Sequence, residues 1–261
     1  VSALKKVFIG SLLGLAASPA IAGMIGWEVI DDFTVVQDNG FGGPISSGGA
    51  PGVVQYYDVS GPVQNLMGGH RDTVFSMGGA GGSYSFQVGV NPLFVDIGGE
   101  TALGIATNGT VTTSIVWDGT HVLSAGSPNV DVNGLNQDLS ILNDLYHDGL
   151  LLDVVSTDQL VTVAFTAWSD SGANRGTASY SFPSSATSTN HFFRLEDFTE
   201  TPLGAGIDWD HVSALRMDVT GAASWDATFS IVAATHIPAP GVIGLLGIGL
   251  LGIGASRRRR A

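Results

Sequence analysis

The chain has 261 residues, 44% hydrophobic and only 13% charged, with 37 Gly, no Cys and a formal net charge of −13. So few charges set it apart from an ordinary cytosolic domain, and its hydrophobic content argues against a disordered chain. The missing Cys excludes disulfides, thiolate metal sites and a Cys nucleophile. The acidic balance argues against nucleic-acid binding through counterion release.

The N-terminus reads as a secretory signal over residues 1–22. Lys5 and Lys6 form a positive start, and Val7 to Ala17 is an apolar stretch too short to span a bilayer comfortably. Ala20-Ile21-Ala22 is a small-x-small cleavage site. The expected partner is signal peptidase, cutting between Ala22 and Gly23.

Residues 23–236 form the expected body. It holds four basic residues (Arg71, Arg175, Arg194 and Arg216) against 23 acidic ones, a net of −19 with no Lys. Such a body stays soluble, repels polyanions and attracts cations. Short β-branched and aromatic runs alternate with Gly, Asn, Asp, Pro and Ser. In chain order the predicted strands are 27–37, 53–59, 72–77, 84–90, 102–106, 110–117, 150–155, 160–168, 177–182, 192–198, 212–219 and 225–233. Leu215, Met217 and Val219 alternate with Arg216 and Asp218, and Trp225, Ala227, Phe229 and Ile231 alternate with Asp226, Thr228 and Ser230. That is the period of sheets with one wet face. Asp118-Gly119 signals a hairpin. Gly40 to Gly52 and Gly78 to Gly82 read as loops, and a short helix or turn is placed near Leu139–Leu145. The expected fold is all-β, a single-domain jelly roll or β-sandwich.

No nucleophile elbow, His-Glu-x-x-His motif or phosphate loop occurs, and the six His are scattered. The chain is therefore expected not to be an enzyme, although paired carboxylates for glycoside hydrolysis meet only in space. No cofactor is called with certainty; calcium is the candidate ion, since it takes hard oxygen ligands. Asp31, Asp32 and Asp226 are the candidate ligands if the terminal strands pair. The stretch Asn129-Asp131-Asn133-Gly134-Asn136-Asp138 is a second candidate, against plain turn chemistry. Arg71 is expected to anchor a buried or half-buried carboxylate bidentately. Trp225 reads as core. Trp209, in the polar stretch Gly206 to His211, is the candidate exposed ring for a ligand such as a sugar.

The C-terminal segment, 237–261, begins Ile237-Pro238-Ala239-Pro240. Gly241 to Ala255 follows without a polar side chain, and Arg257, Arg258, Arg259 and Arg260 close it before Ala261. Fifteen helical residues span about 22 Å, short of the ~30 Å hydrocarbon core. A membrane helix over about 241–256 inserts with flanking residues and local thinning, and the arginines hold its end in the cytoplasm.

The tail resembles the PEP-CTERM sorting signal of Gram-negative bacteria, in which a Val/Ile-Pro-Glu-Pro motif precedes a Gly/Leu-rich helix and an Arg cluster. Ile237, Pro238, Pro240 and Arg257 to Arg260 match, while Ala239 stands where Glu is usual. The resemblance implies processing by an exosortase-like membrane enzyme, transient inner-membrane anchoring, and a link to exopolysaccharide.

The body resembles, more loosely, a galactose-binding-like jelly roll whose first and last strands pair. The matching pieces are Ile30 to Phe33, Gly68 to Asp72, Val116 to Gly119, Gly134 to Leu139, Phe193 with Phe198, and a closing strand with Asp226. Together these imply a non-catalytic exported surface or extracellular-matrix protein of the biofilm kind. A carbohydrate-binding module with a defined glycan is the alternative, and an extracellular hydrolase the third reading.

Overall fold

The computed structural model describes residues 25–37, 44–90, 101–120, 130–144, 148–201 and 206–237. The signal segment with its cut point at Ala22 and Gly23 lies outside the described residues, as do Pro238, Ala239, Pro240, the apolar tail and Arg257 to Arg260. Among the described residues there is no α-helix, and no helix is long and apolar enough to cross a membrane.

Twelve strands make up the body: β1 (Ile25–Asp31), β2 (Ile45–Gly49), β3 (Val54–Ser60), β4 (His70–Val90), β5 (Thr101–Trp117), β6 (Asp148–Thr157), β7 (Val161–Ser169), β8 (Asn174–Phe182), β9 (Thr189–Arg194), β10 (Thr199–Thr201), β11 (Ala214–Gly221) and β12 (Asp226–His236). All pairings are antiparallel. Hydrogen bonds link the strands into one sheet that folds over on itself.

The long β4–β5 ribbon makes that fold. Its first half, with the end of β5, carries β3 on one side and β11, β7, β8 and β10 on the other. Its second half, with the start of β5, carries β2 on one side and β12, β6 and β9 on the other. Between the halves the register slips from Met77 to Gly82. The slip is built from glycine. Gly81 has φ +86°, and a Cβ there would meet the Gly49 carbonyl oxygen at 2.6 Å. Gly109 has φ +95°, and its Cβ would meet the Gly81 oxygen at 2.6 Å. Only residues without a side chain let the two backbones close on each other at this corner.

The folded sheet buries one core between two layers, so the fold is all-β and sandwich-like. Phe75, Ile115, Trp117, Phe165, Leu215, Met217 and Val219 come from one layer. Phe86, Leu103, Ile105, Leu150, Leu152, Phe193 and Phe229 come from the other. The layers touch where Phe165 of β7 meets Phe193 of β9 edge-on, 5.0 Å between ring centres, and where Phe75 stacks on Tyr84 at 3.7 Å. Burying such side chains supplies roughly 1.5–3 kcal/mol each before entropy is counted.

Several expectations change. The glycine run 78–82 is not a loop but the bulge inside β4, and the predicted strands on either side of it are one strand. The strands placed at 102–106 and 110–117 are likewise one, β5. The segment expected to be loop around Gly40 to Gly52 contains β2. On β11 the predicted alternation holds. On β12 it holds through Phe229, and then a bulge before Ile231 reverses the faces. Val232 and Ala234 then enter the core and Ile231 is half-buried. One extra residue suffices for this, because a strand's side chains have period two. Asp118-Gly119 ends β5 in a turn, and β5's partners are β4, β11 and β12, so no hairpin forms there among the described residues. Residues 141–143 are a bend, and 139–144 contain no helix.

Candidate functional site

The body opens and closes on one strand pair. β1 runs antiparallel to β12, with Ile25 opposite His236 and Asp31 opposite Val232. The expected pairing of first and last strands is therefore present. Each strand is fastened to the body by a buried carboxylate.

Asp31 fastens β1. Its oxygens accept four hydrogen bonds: two from Arg71 Nη1 at 2.9 and 2.8 Å, one from Trp117 Nε1 at 3.0 Å and one from the Phe33 amide at 2.9 Å. Arg71 Nη2 donates to the Val35 carbonyl at 2.7 Å, and the guanidinium lies 5.7 Å over the Phe33 ring. Asp31, Arg71 and Trp117 are all inaccessible to solvent. The expected Arg71–carboxylate pair thus exists, with one correction of geometry. A single nitrogen straddles both oxygens, and the other is used by backbone, so the pair is not a two-pronged fork. Burial pushes the Asp31 carboxyl above its usual value, against the pull of Arg71 and the other donors.

Asp148 fastens the end of β12. Its Oδ1 accepts from His236 Nδ1 at 2.8 Å. Its Oδ2 accepts from the Leu142 and Asp144 amides, both at 2.9 Å. The last residue of the last strand is therefore tied to the turn that precedes β6.

The candidate calcium ligands do not converge. Asp31 is spent on Arg71 and Trp117. Asp32 accepts from the amide and hydroxyl of Thr34. Asp226 lies six residues before Val232 on β12, about 20 Å along the strand from the Asp31 register, and accepts from the Thr107 amide. The strands do pair, but Asp226 sits at the far end of β12. No group of three or more His, Asp or Glu able to hold a metal occurs among the described residues. In the second candidate stretch, Asn129 lies outside the described residues. Asp131 accepts from the Asn133 amide and Asp138 from the Ser140 amide, the turn chemistry that competed with calcium.

Trp209 is not the exposed ring. It is 6% exposed and stands edge-on to Phe198 at 4.8 Å. It lines a shallow depression of about 250 Å³ with Ser140, Asn143, Ile207, Asp208 and Asp210. Trp117, Trp168 and Trp225 are buried as well, Trp225 donating to the Val111 carbonyl. Among the described residues, the exposed aromatic that sequence reading passes over is Tyr180 on β8, at 42%. Its ring stacks on His191 of β9 at 3.6 Å and 18°, bridging the edges of the two layers. Burial lowers the His191 pKa, with Asp197 opposing, which favours a neutral ring under Tyr180. Ser179 and Ser181 flank it in sequence and are exposed.

A second missed feature lies on the outer face of β3 and β4. Asp58 and Asp72 are directly opposite each other in register, and their carboxyl groups hydrogen-bond to each other. They are in contact, closer than the roughly 5–9 Å that two carboxyls of a glycoside hydrolase keep. Across the same face, two strands further on, Arg216 donates to Asp218 at 2.9 Å and lies 5.4 Å over the Trp168 ring.

No family profile matches the chain, and no curated protein does. Among solved structures, the chain is similar to the family 11 carbohydrate-binding module of the cellulosomal cellulase Lic26A-Cel5E of Clostridium thermocellum: 13% identity, 80% of this chain and 94% of that one, TM-score 0.38. It is similar to the family 30 carbohydrate-binding module of the cellulase Cel9D-Cel44B of the same organism: 13% identity, 58% and 83% coverage, TM-score 0.40. A DUF4465 family protein of Bacteroides caccae gives 11% identity, 80% and 99% coverage and a TM-score of 0.32.

Replacing Arg71 by Ala strands the Asp31 charge in the core and is expected to cost about 3–5 kcal/mol. Replacing both Arg71 and Asp31 by apolar residues is expected to cost markedly less than the sum of the two single changes. Urea unfolding of the four chains of this double-mutant cycle checks it.

Proposed function

We propose that the chain is an exported, non-catalytic surface or extracellular-matrix protein, delivered by the segment 237–261 to an exosortase-like membrane enzyme. The β1–β12 pair carries this reading. β1 begins at Ile25, opposite His236 at the end of β12, so the pair lies within a few residues of the proposed signal cut before Gly23 and of the sorting motif that starts at Ile237. No described strand lies within the proposed signal or beyond His236. The work of the body is contact with exopolysaccharide outside the cell. Its net charge of −19 and lack of Lys keep it soluble and repel polyanions, which favours neutral glycans over acidic ones.

The second reading, a carbohydrate-binding module with a defined glycan, is supported by Tyr180. A ring already held against His191 has one face to offer and little rotamer freedom to lose on binding.

Changing Arg257 to Arg260 together to Ala in the native host is expected to keep the protein out of the outer matrix and in the cell fraction. Equal delivery of this variant and the natural chain would overturn the sorting reading. For the glycan reading, native electrophoresis through gels containing neutral polysaccharide is expected to retard the natural chain and Tyr180→Phe, but not Tyr180→Ala. Equal mobility of all three would sink it.

A further inference from the structure

We propose that the Asp58–Asp72 pair is a proton-operated latch that holds the edge strand β3 onto the body. The geometry carries this. Among the described strands, β3 pairs with β4 alone. In the middle of that single ladder, two carboxyl groups stand directly opposite on the same outward face. Like charges in directly opposed positions push two strands apart. Here they share a hydrogen bond instead, and a hydrogen bond between two carboxyl groups requires one proton between them.

Around Asp72 itself, burial and a second acid work against a charge. Asp72 is 3% exposed, and its Oδ1 is buried without a hydrogen-bond partner. The nearest further group from β5 is Asp118, another acid, whose oxygens are occupied by the Thr120 and Asp131 amides. Asp131 itself accepts from the Thr120 hydroxyl. From β4, His70 Nδ1 lies 3.7 Å from Asp58 Oδ1 but 3.2 Å from the Ser60 hydroxyl. Arg71, the adjacent cation in sequence, points through the sheet into Asp31. Arg216 is two strands away, engaged by Asp218 and Trp168. Once the shared proton leaves, two negative charges face each other at a third.

Burial, then Asp118 and Asp58, push the Asp72 carboxyl up to about 8. The folded body therefore keeps a proton that the unfolded chain gives up near 3.8. Between those values the unfolded state binds fewer protons, so stability falls as pH rises. The latch is closed in acid and at neutrality. It opens as pH passes about 8, and β3 loosens first because one ladder alone holds it.

The test follows hydrogen exchange of the β3 amides in the full chain between pH 6 and pH 9, corrected for intrinsic exchange. Asp72→Asn is the comparison, since its amide donates to Asp58 at any pH. In the natural chain, protection of β3 is expected to fall by about tenfold or more across this range, while the interior strand β7 changes far less. In Asp72→Asn, β3 protection is expected to stay level. Asp58→Asn is expected to behave in the same way and serves if Asp72→Asn does not fold. A natural chain whose β3 protection is level from pH 6 to 9, or variants that lose protection as it does, would overturn the latch.

Discussion

A single buried carboxylate holds this fold together at its start. Asp31 sits where β1, β4 and β5 meet, and four donors converge on its two oxygens. A carboxylate without them would be prohibitively costly in that place. With them, it fixes β1 against the ribbon that builds both layers. β1 is in turn the partner of β12, an interior strand held on its other side by β6. The far end of that pair is fastened by Asp148 and His236. The first and last described strands are therefore locked, not frayed.

The second constraint is the glycine corner of β4 and β5. A sheet of twelve strands cannot stay open and bury a core, so it must fold over. This one turns where Gly81 and Gly109 let two backbones approach with no side chain between them. Past the corner each strand acquires new neighbours, and the inward faces of both halves meet as Phe75 on Tyr84 and Phe165 on Phe193. The opposite side of the sandwich has no such ribbon. There the edges of β8 and β9 are bridged by the Tyr180–His191 stack, which is why an aromatic ring at an inward strand position is left open to solvent.

The class of the fold was legible in the alternation of β11 and in the turn residues between apolar runs. So was the pairing of Arg71 with a carboxylate, because one of four cations in so acidic a body needs a counter-charge. Its partner was not legible, since Asp31 lies 40 residues away and only the register of β1 brings it near. The glycine run 78–82 misled because backbone hydrogen bonds need no side chains, so a strand can pass through residues of no β-propensity. Trp209 misled because polar neighbours in sequence say little about burial in space. The Asp58–Asp72 pair could not be found from sequence. Both residues are ordinary until the β3–β4 register places them face to face.

On the proposed reading, an acidic sandwich is delivered from between a signal and a sorting tail. The most direct measurement is the intact mass of the protein from the native host, taken separately from membranes and from medium. The account predicts a species beginning at Gly23 and ending near Pro238 to Pro240, in the medium or outer matrix. A membrane species still carrying Arg257 to Arg260 would contradict it.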